Sequence, residues 1–172
     1  MTSTLAPLAT EQKFRQAMAA FPSGVTIMTT TDEDGEARGF AASSFCSVSL
    51  DPALVLVCIA KTAQCYEAFM TNDQWSIQMA GSAHLELIER FATKGADKFA
   101  GGEFVPDHRG VPVLLDAAVL IECEAHARLD GGDHTILVAR VVEVDVDDRP
   151  PVLYFQRGFR HLDQVAFDGA LG

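Results

Sequence analysis

From Thr10 to Phe21 the apolar residues recur at helical spacing. Phe14, Ala17, Met18 and Phe21 share one face, Thr10 stands where an N-cap belongs, and Pro22 closes the segment. The period then changes from helix to strand. In "GVTIMTTT" at 24–31, Val25 and Ile27 alternate with threonines, which predicts a half-buried strand. "DEDG" at 32–35 predicts a turn, and "GFAASSFCSVSLDP" at 39–52 resumes as a strand or a strand with a bulge that Asp51-Pro52 ends. "ALVLVCIA" at 53–60 reads as a core strand, and Thr62 is placed to cap a short helix with Tyr66, Phe69 and Met70 as its apolar stripe.

Further along, "WSIQM" at 75–79 alternates again, and Ser82 precedes a second helical pattern with Leu85, Ile88 and Phe91 on one side. "TKGADKFAGGEF" and "PDHRGVP" read as an irregular connection, too sparse in apolar residues for an element of its own. A long hairpin follows. Val119, Ile121, Cys123 and Ala125 alternate with Glu122, Glu124, His126 and Arg128, and "TILVARVVEVDV" returns after the turn "DGGDH" at 130–134. "VLYFQ" at 152–156 supplies a last strand. Strands outnumber short helices and tight turns join most of them, so the expectation is an antiparallel barrel with peripheral helices rather than a βαβ sheet. No repeat or linker interrupts the chain, which reads as one domain over 1–172.

Composition narrows the partners. Thirteen Lys+Arg against 24 Asp+Glu give a net charge of -11, which disfavours binding to nucleic acid or an anionic membrane. A small anionic ligand held by local donors stays possible. The N-terminal stretch lacks a basic and apolar leader pattern, and the longest apolar run is too short to span a bilayer, so the reading is a soluble cytoplasmic protein. Cys46, Cys58, Cys65 and Cys123 form no C-x-x-C pair. They read as buried free thiols, with a zinc site or a disulfide framework as the alternative.

Three stretches carry candidate chemistry. Ser43, Ser44, Ser47 and Ser49 make a neutral, donor-rich strand, suited either to a flat ligand or to a sheet edge or subunit contact. "GGDH" at 131–134 is a turn whose Asp133 bonds its own backbone, or one that sets the His134 imidazole beside a ligand. His126 on the facing strand invites a metal reading, but no third ligand stands at sensible spacing. Lys61-Thr62 is either a solvated cation with an ordinary cap or a phosphate site. Neither a Rossmann fingerprint, a P-loop nor a G-x-S-x-G elbow is present, and the carboxylates fall mostly on solvent-facing strand positions.

Taken in order, these pieces resemble the flavin reductase-like family, the NAD(P)H:flavin oxidoreductases of two-component monooxygenases. The resemblance rests on "FRQAMAAFPSGVTIMTT" at 14–30, "GFAASSFCSVSLDP", "FA" at 91–92, "DKF" at 97–99, "GDH" at 132–134 and "LYF" at 153–155, and covers about residues 11 to 162. It implies a mainly β fold with short helices, an antiparallel split β-barrel, short extensions at both ends, and a homodimer with flavin in a groove near the interface. Gly39, Phe40, Ala41, Ala42, Ser43 and Ser44 would then lie along the isoalloxazine and ribityl groups. Ser47, Val48 and Ser49, with Lys61 and Thr62, would hold the phosphate end. His134 and Asp133 would line the nicotinamide side and Phe91 the outer part of that pocket. The chain departs from the family pattern at Ala41, Ser43, Cys46 and Gln78.

The resemblance further implies FAD or FMN as flavin, NADH or NADPH as hydride donor, and a separate oxygenase that receives reduced flavin. That chemistry agrees with the lack of a triad or metal set, because the reactive atoms belong to the cofactors. Two rival expectations are a split-barrel flavoprotein that retains its flavin and acts on a small substrate, and a non-enzymatic flavin binder.

Overall fold

Thr10 opens the described chain, residues 10–161 of a computed structural model. The expected extensions, the last residue of the expected core and most of the N-terminal leader reading lie outside these residues. The Thr10 hydroxyl accepts from the Lys13 amide at 3.3 Å and caps α1 (Glu11–Ala19). The elements then run β1 (Ser23–Gly24), β2 (Thr26–Thr31), β3 (Ala37–Ala42), β4 (Cys46–Leu50), β5 (Ala53–Ala60), α2 (Tyr66–Thr71) and β6 (Gln74–Met79). A 3-10 turn at Ser82–His84 leads into α3 (Leu85–Ala92), followed by β7 (Phe104–Pro106), β8 (Pro112–Leu114), β9 (Val119–Gly131), β10 (His134–Val146), β11 (Val152–Phe155) and β12 (Gly158–His161).

Seven strands form one sheet in the order β3-β2-β6-β9-β10-β5-β4. Every pairing in it is antiparallel. Four strands separate β3 from β5 in that order, yet residues of both pack into one core with Met28, Phe69, Trp75, Ile77, Cys123 and Leu137. The sheet therefore curls into a barrel, and β3 and β5 face each other without a ladder between them among the described residues. This is the mainly β split barrel with short helices that the sequence led us to expect.

A second core lies outside the barrel wall. Ile27, Ala80, Leu87, Ile88, Phe91, Leu114 and Val152 join α3 and the small β7–β8 and β11–β12 ribbons to the sheet. β2 consequently packs on both faces, with Met28 inward and Ile27 outward. That corrects the expectation of a half-buried strand: Thr26, Thr29 and Thr30 are buried as well. Their hydroxyls donate to the carbonyls of Ala42 (3.2 Å), Pro112 (2.5 Å) and Gln74 (2.8 Å), so burial leaves them partnered. The Gln78 amide, also fully buried, donates to Thr29 Oγ1 at 3.0 Å.

Four further expectations are corrected. The 93–112 connection holds the β7–β8 hairpin, and Asp107 closes its loop by accepting from the amides of Arg109 (2.8 Å) and Val111 (2.9 Å). Glu122 does not face solvent. It is buried beside Arg109, 3.3 Å from Nε, while the same guanidinium binds Asp107 at 2.7 Å and Ser76 Oγ at 2.9 Å. Asp107, His108 and Glu122 come within 4.8 Å of one another, but Arg109 already supplies the positive charge between the two carboxylates. Finally, Cys46 is exposed and Cys58 half-buried, leaving Cys65 and Cys123 as the buried free thiols.

The fourth correction concerns helices. α2 begins at Tyr66 with Cys65 at its cap, so Thr62 sits in the preceding turn and caps nothing. Among the described residues nothing covers the stripe of α1: Phe14 is 58% exposed, Met18 55% and Phe21 72%. Together with Tyr154 these residues line a shallow depression that reaches Ser43 and Ser44.

Candidate functional site

The split between β3 and β5 holds a groove of about 340 Å³. Phe40, Ala41, Ala42, Ser43 and Ser44 form one wall, Cys58, Ala60 and Ala63 the other, and His134 stands at the rim. Strand alternation explains the second wall. Val55, Val57 and Ile59 point into the barrel core, so Cys58 and Ala60 must point the opposite way, into the split. Sequence reading took β5 as a core strand and did not place Cys58 or Ala60 at a ligand site. Their period-2 spacing beside Lys61 was the available signal.

The chain crosses the split at Ser44. β4 pairs with β5 only as far as Leu56, which leaves the Cys58 peptide groups on that side without a strand partner. The Ser44 hydroxyl supplies both bonds, accepting from Cys58 N at 3.0 Å and donating to Cys58 O at 3.4 Å. Ser44 is thus a structural clasp at the groove, and Ser43, exposed beside it, carries the hydroxyl that faces solvent. Phe40 is buried, with its ring edge-on to Phe69 at 5.1 Å between centroids. Gly39 precedes it at a position where a Cβ would come 2.6 Å from the Met28 carbonyl oxygen.

The hairpin tip brings His134 in by backbone register. His134 pairs with Ala60 across β10 and β5, and with Gly131 across β9 and β10. Asp133 Oδ1 lies 2.7 Å from His134 Nδ1, and the imidazole beside it holds the Asp133 carboxyl below its usual range. His126 stands at the β9 bulge opposite Val138 and Ala139, about four residues or ~13 Å along the strand from His134. The two histidines do not meet.

The remaining expected residues fall outside the groove. Ser47, Val48 and Ser49 lie on β4, the outer edge strand, where a bulge at Val48 leaves it half-exposed. The Lys61 amine is turned to Asp130 at 2.5 Å, which raises its pKa, and its amide donates to the Asp133 carbonyl at 3.0 Å. Thr62 is exposed in the turn. Phe91 does not line the pocket. It is buried in the outer core against Phe99 and Phe104, with ring centroids 5.3 and 5.4 Å away.

The groove passes a physical test for a flat aromatic ring. Four of its nine lining residues are alanines, small enough for ring atoms to approach the backbone, and Ser43, Ser44 and His134 supply neutral polar groups. No charged carboxylate lines it. Such an arrangement binds and orients a ring system, and offers neither an activated nucleophile nor a metal-ligand set to react with it.

Comparison with known proteins agrees with this geometry. The family model described as "Flavin reductase like domain" matches residues 18–163. A relative from Streptomyces coelicolor, named actinorhodin polyketide dimerase, is 44% identical over 153 residues, covering 88% of this chain and 86% of its own. The NADH:riboflavin 5'-phosphate oxidoreductase of Streptomyces pristinaespiralis is 41% identical over 156 residues, 89% of each chain. Among solved structures, the NADH:FAD oxidoreductase of Streptomyces globisporus, in complex with NAD and FAD fragments, superposes with a TM-score of 0.86 at 29% identity, over 94% of this chain and 100% of that one.

Proposed function

We propose, for a chain that belongs to the flavin reductase-like domain family, hydride transfer from a reduced nicotinamide to FAD or FMN. The observation that carries the reading is the alanine-lined groove at the barrel split with His134 at its rim. Bound there, the two cofactors supply the hydride donor and acceptor. The chain's work is placement. Ala41, Ala42, Ala60 and Ala63 let two stacked rings approach, Ser43 and backbone N–H groups bond the polar edge where negative charge grows, and His134 orients the nicotinamide amide. NADH is the donor favoured by the relative named as an NADH:riboflavin 5'-phosphate oxidoreductase.

Reduced flavin then leaves for a separate oxygenase. This follows the similarity to the reductase subunit of a flavin-dependent monooxygenase from Rhodococcus jostii, 33% identical over 153 residues. The protein works as a cytoplasmic homodimer in this reading, with the exposed Phe14, Met18 and Phe21 of α1 and Val48 and Leu50 of β4 as the apolar surface a second copy would cover. No helix among the described residues is long and apolar enough to cross a membrane.

The test is oxidation of NADH or NADPH by purified protein with FAD, FMN or riboflavin added, against a protein-free control. Acceleration that needs added flavin is expected. A rate no faster than the control would refute the activity, and yellow protein reducing a substrate without added flavin would favour a retained cofactor.

A further inference from the structure

The β9–β10 tip that carries His134 has little to rest on. Leu129, Asp130, Gly131, Gly132 and Asp133 are all exposed, and Gly132 turns the chain at a φ of 80°. Two adjacent glycines leave the turn free to hinge, because neither has a side chain to restrict its backbone. The ladder between β10 and β5 ends at the His134–Ala60 pair, so the imidazole stands on the last rung. Its place at the groove rim therefore depends on what holds the tip beyond that rung.

Lys61, the residue after β5, holds both arms of the hairpin. Its amide donates to the Asp133 carbonyl at 3.0 Å, one bond past the last rung on the β10 arm. Its amine reaches over to the β9 arm and donates to Asp130 Oδ1 at 2.5 Å. Among the described residues no other side chain from outside the hairpin bonds residues 130–134. The bond to Asp130 raises the Lys61 pKa and lowers that of the carboxyl, so both groups stay charged through the neutral range. Asp133 is held ionised first by the His134 imidazole, 2.7 Å away, and further by the Lys61 charge. The hairpin tip, the end of β5 and the imidazole thus form one chain of contacts: Asp130, Lys61, Asp133, His134.

We propose that Lys61 is a positioning residue for hydride transfer: its hold on both arms of the hairpin, completed by Asp130, keeps His134 at the groove rim where the nicotinamide is met. The inference rests on the groove being the ring site and on His134 meeting the nicotinamide there. Lys61 touches neither cofactor and acts through the imidazole alone. The ion pair is exposed, with side chains 40% and 78% accessible, so its effect is modest and weakens with salt. The backbone bond from the Lys61 amide survives any change of its side chain, which confines the effect of a substitution to the Asp130 arm.

The test measures KM for NADH, and binding of FMN and riboflavin by flavin fluorescence, on wild type, Lys61→Gln, Lys61→Arg, Asp130→Asn, His134→Ala and the double variant Lys61→Gln/His134→Ala. Lys61→Gln and Asp130→Asn should each raise KM for NADH about two- to fivefold, the range an exposed ion pair supports, with both flavin affinities unchanged. Added to His134→Ala, Lys61→Gln should raise KM no further, because its effect runs through the imidazole. Lys61→Arg keeps the charge and should restore the wild-type KM. Effects of Lys61→Gln and His134→Ala that simply add would make the pair merely structural and overturn the inference. Loss of FMN affinity with riboflavin unchanged would make Lys61 a phosphate ligand and overturn it too, as would an unchanged KM in folded Lys61→Gln. Asp130→Asn, at the exposed tip, reads the same pair should Lys61→Gln fail to fold. Wild type that binds neither flavin would overturn the ring site and this inference together, whereas a Lys61 result of no effect leaves the ring site standing.

Discussion

Replacing Ser44 by alanine tests how the split is held. The Ser44 hydroxyl makes two bonds to Cys58, at 3.0 and 3.4 Å, at the point where β4 has stopped pairing with β5. Alanine removes both and leaves a half-buried N–H and C=O without a protein partner. An unmet backbone group costs about 1–3 kcal/mol when buried, and water reaching the open groove lowers this to about 1–2 kcal/mol. For a chain of this size each kcal/mol moves the melting midpoint by about 2–4 °C, so Ser44→Ala should melt about 2–8 °C lower. Ser43→Ala is the control. Its hydroxyl is exposed, so the midpoint should hold while flavin affinity falls. Calorimetry or circular dichroism on the flavin-free proteins reads the difference. A Ser44→Ala midpoint equal to wild type would refute the clasp, and a Ser43→Ala midpoint as low as that of Ser44→Ala would show that the two hydroxyls are not divided as described.

Three other outcomes are expected. Gly39→Ala should lose about 1–3 kcal/mol in a denaturant titration, since its Cβ would sit 2.6 Å from the Met28 carbonyl and 3.0 Å from the Phe91 ring; an unaltered midpoint contradicts that packing. His134→Ala should raise KM for the nicotinamide more than it weakens flavin binding, and Asp133→Asn should reproduce part of the effect through the 2.7 Å contact; an unchanged KM returns His134 to a turn residue. Burial pushes the Cys123 thiol up to about 12, so its contribution to stability is complete below the unfolded thiol value near 8.5 and is lost as pH rises toward 12. Cys123→Ala should flatten that alkaline limb in melts between about pH 8 and 11, and an identical slope would count against it.

Local patterns were readable wherever one force decided the outcome. "ALVLVCIA" became β5 at its predicted bounds, and the Asp32 carboxylate closes the "DEDG" turn by accepting from the amides of Asp34 (3.1 Å) and Glu36 (2.9 Å). Thr10 caps α1 as its side chain allows. The misreadings share a cause. Whether a face is buried depends on what the rest of the chain puts against it, and alternation cannot report a second layer. Thr29 of β2 looked solvent-facing, but it points outward with Ile27 into the layer that α3 and the β7–β8 hairpin build, and bonds the Pro112 carbonyl there, whereas Thr26 and Thr30 face inward with Met28. The β7–β8 hairpin escaped because Asp107 and Arg109, rather than an apolar run, organise its loop.

For the site, the order of short motifs in the sequence determined the family, and with it the proposal that residues 40–44 lie along a flavin ring. Closure of the barrel decided the rest. Curling the sheet put Cys58, Ala60 and His134 opposite them, sent Ser47 to Ser49 to the outer edge, turned Lys61 to Asp130, and sank Phe91 into the outer core. Sequence fixes what each residue can do over a few neighbours, whereas which residues share a cavity depends on contacts between distant segments that only the folded sheet creates.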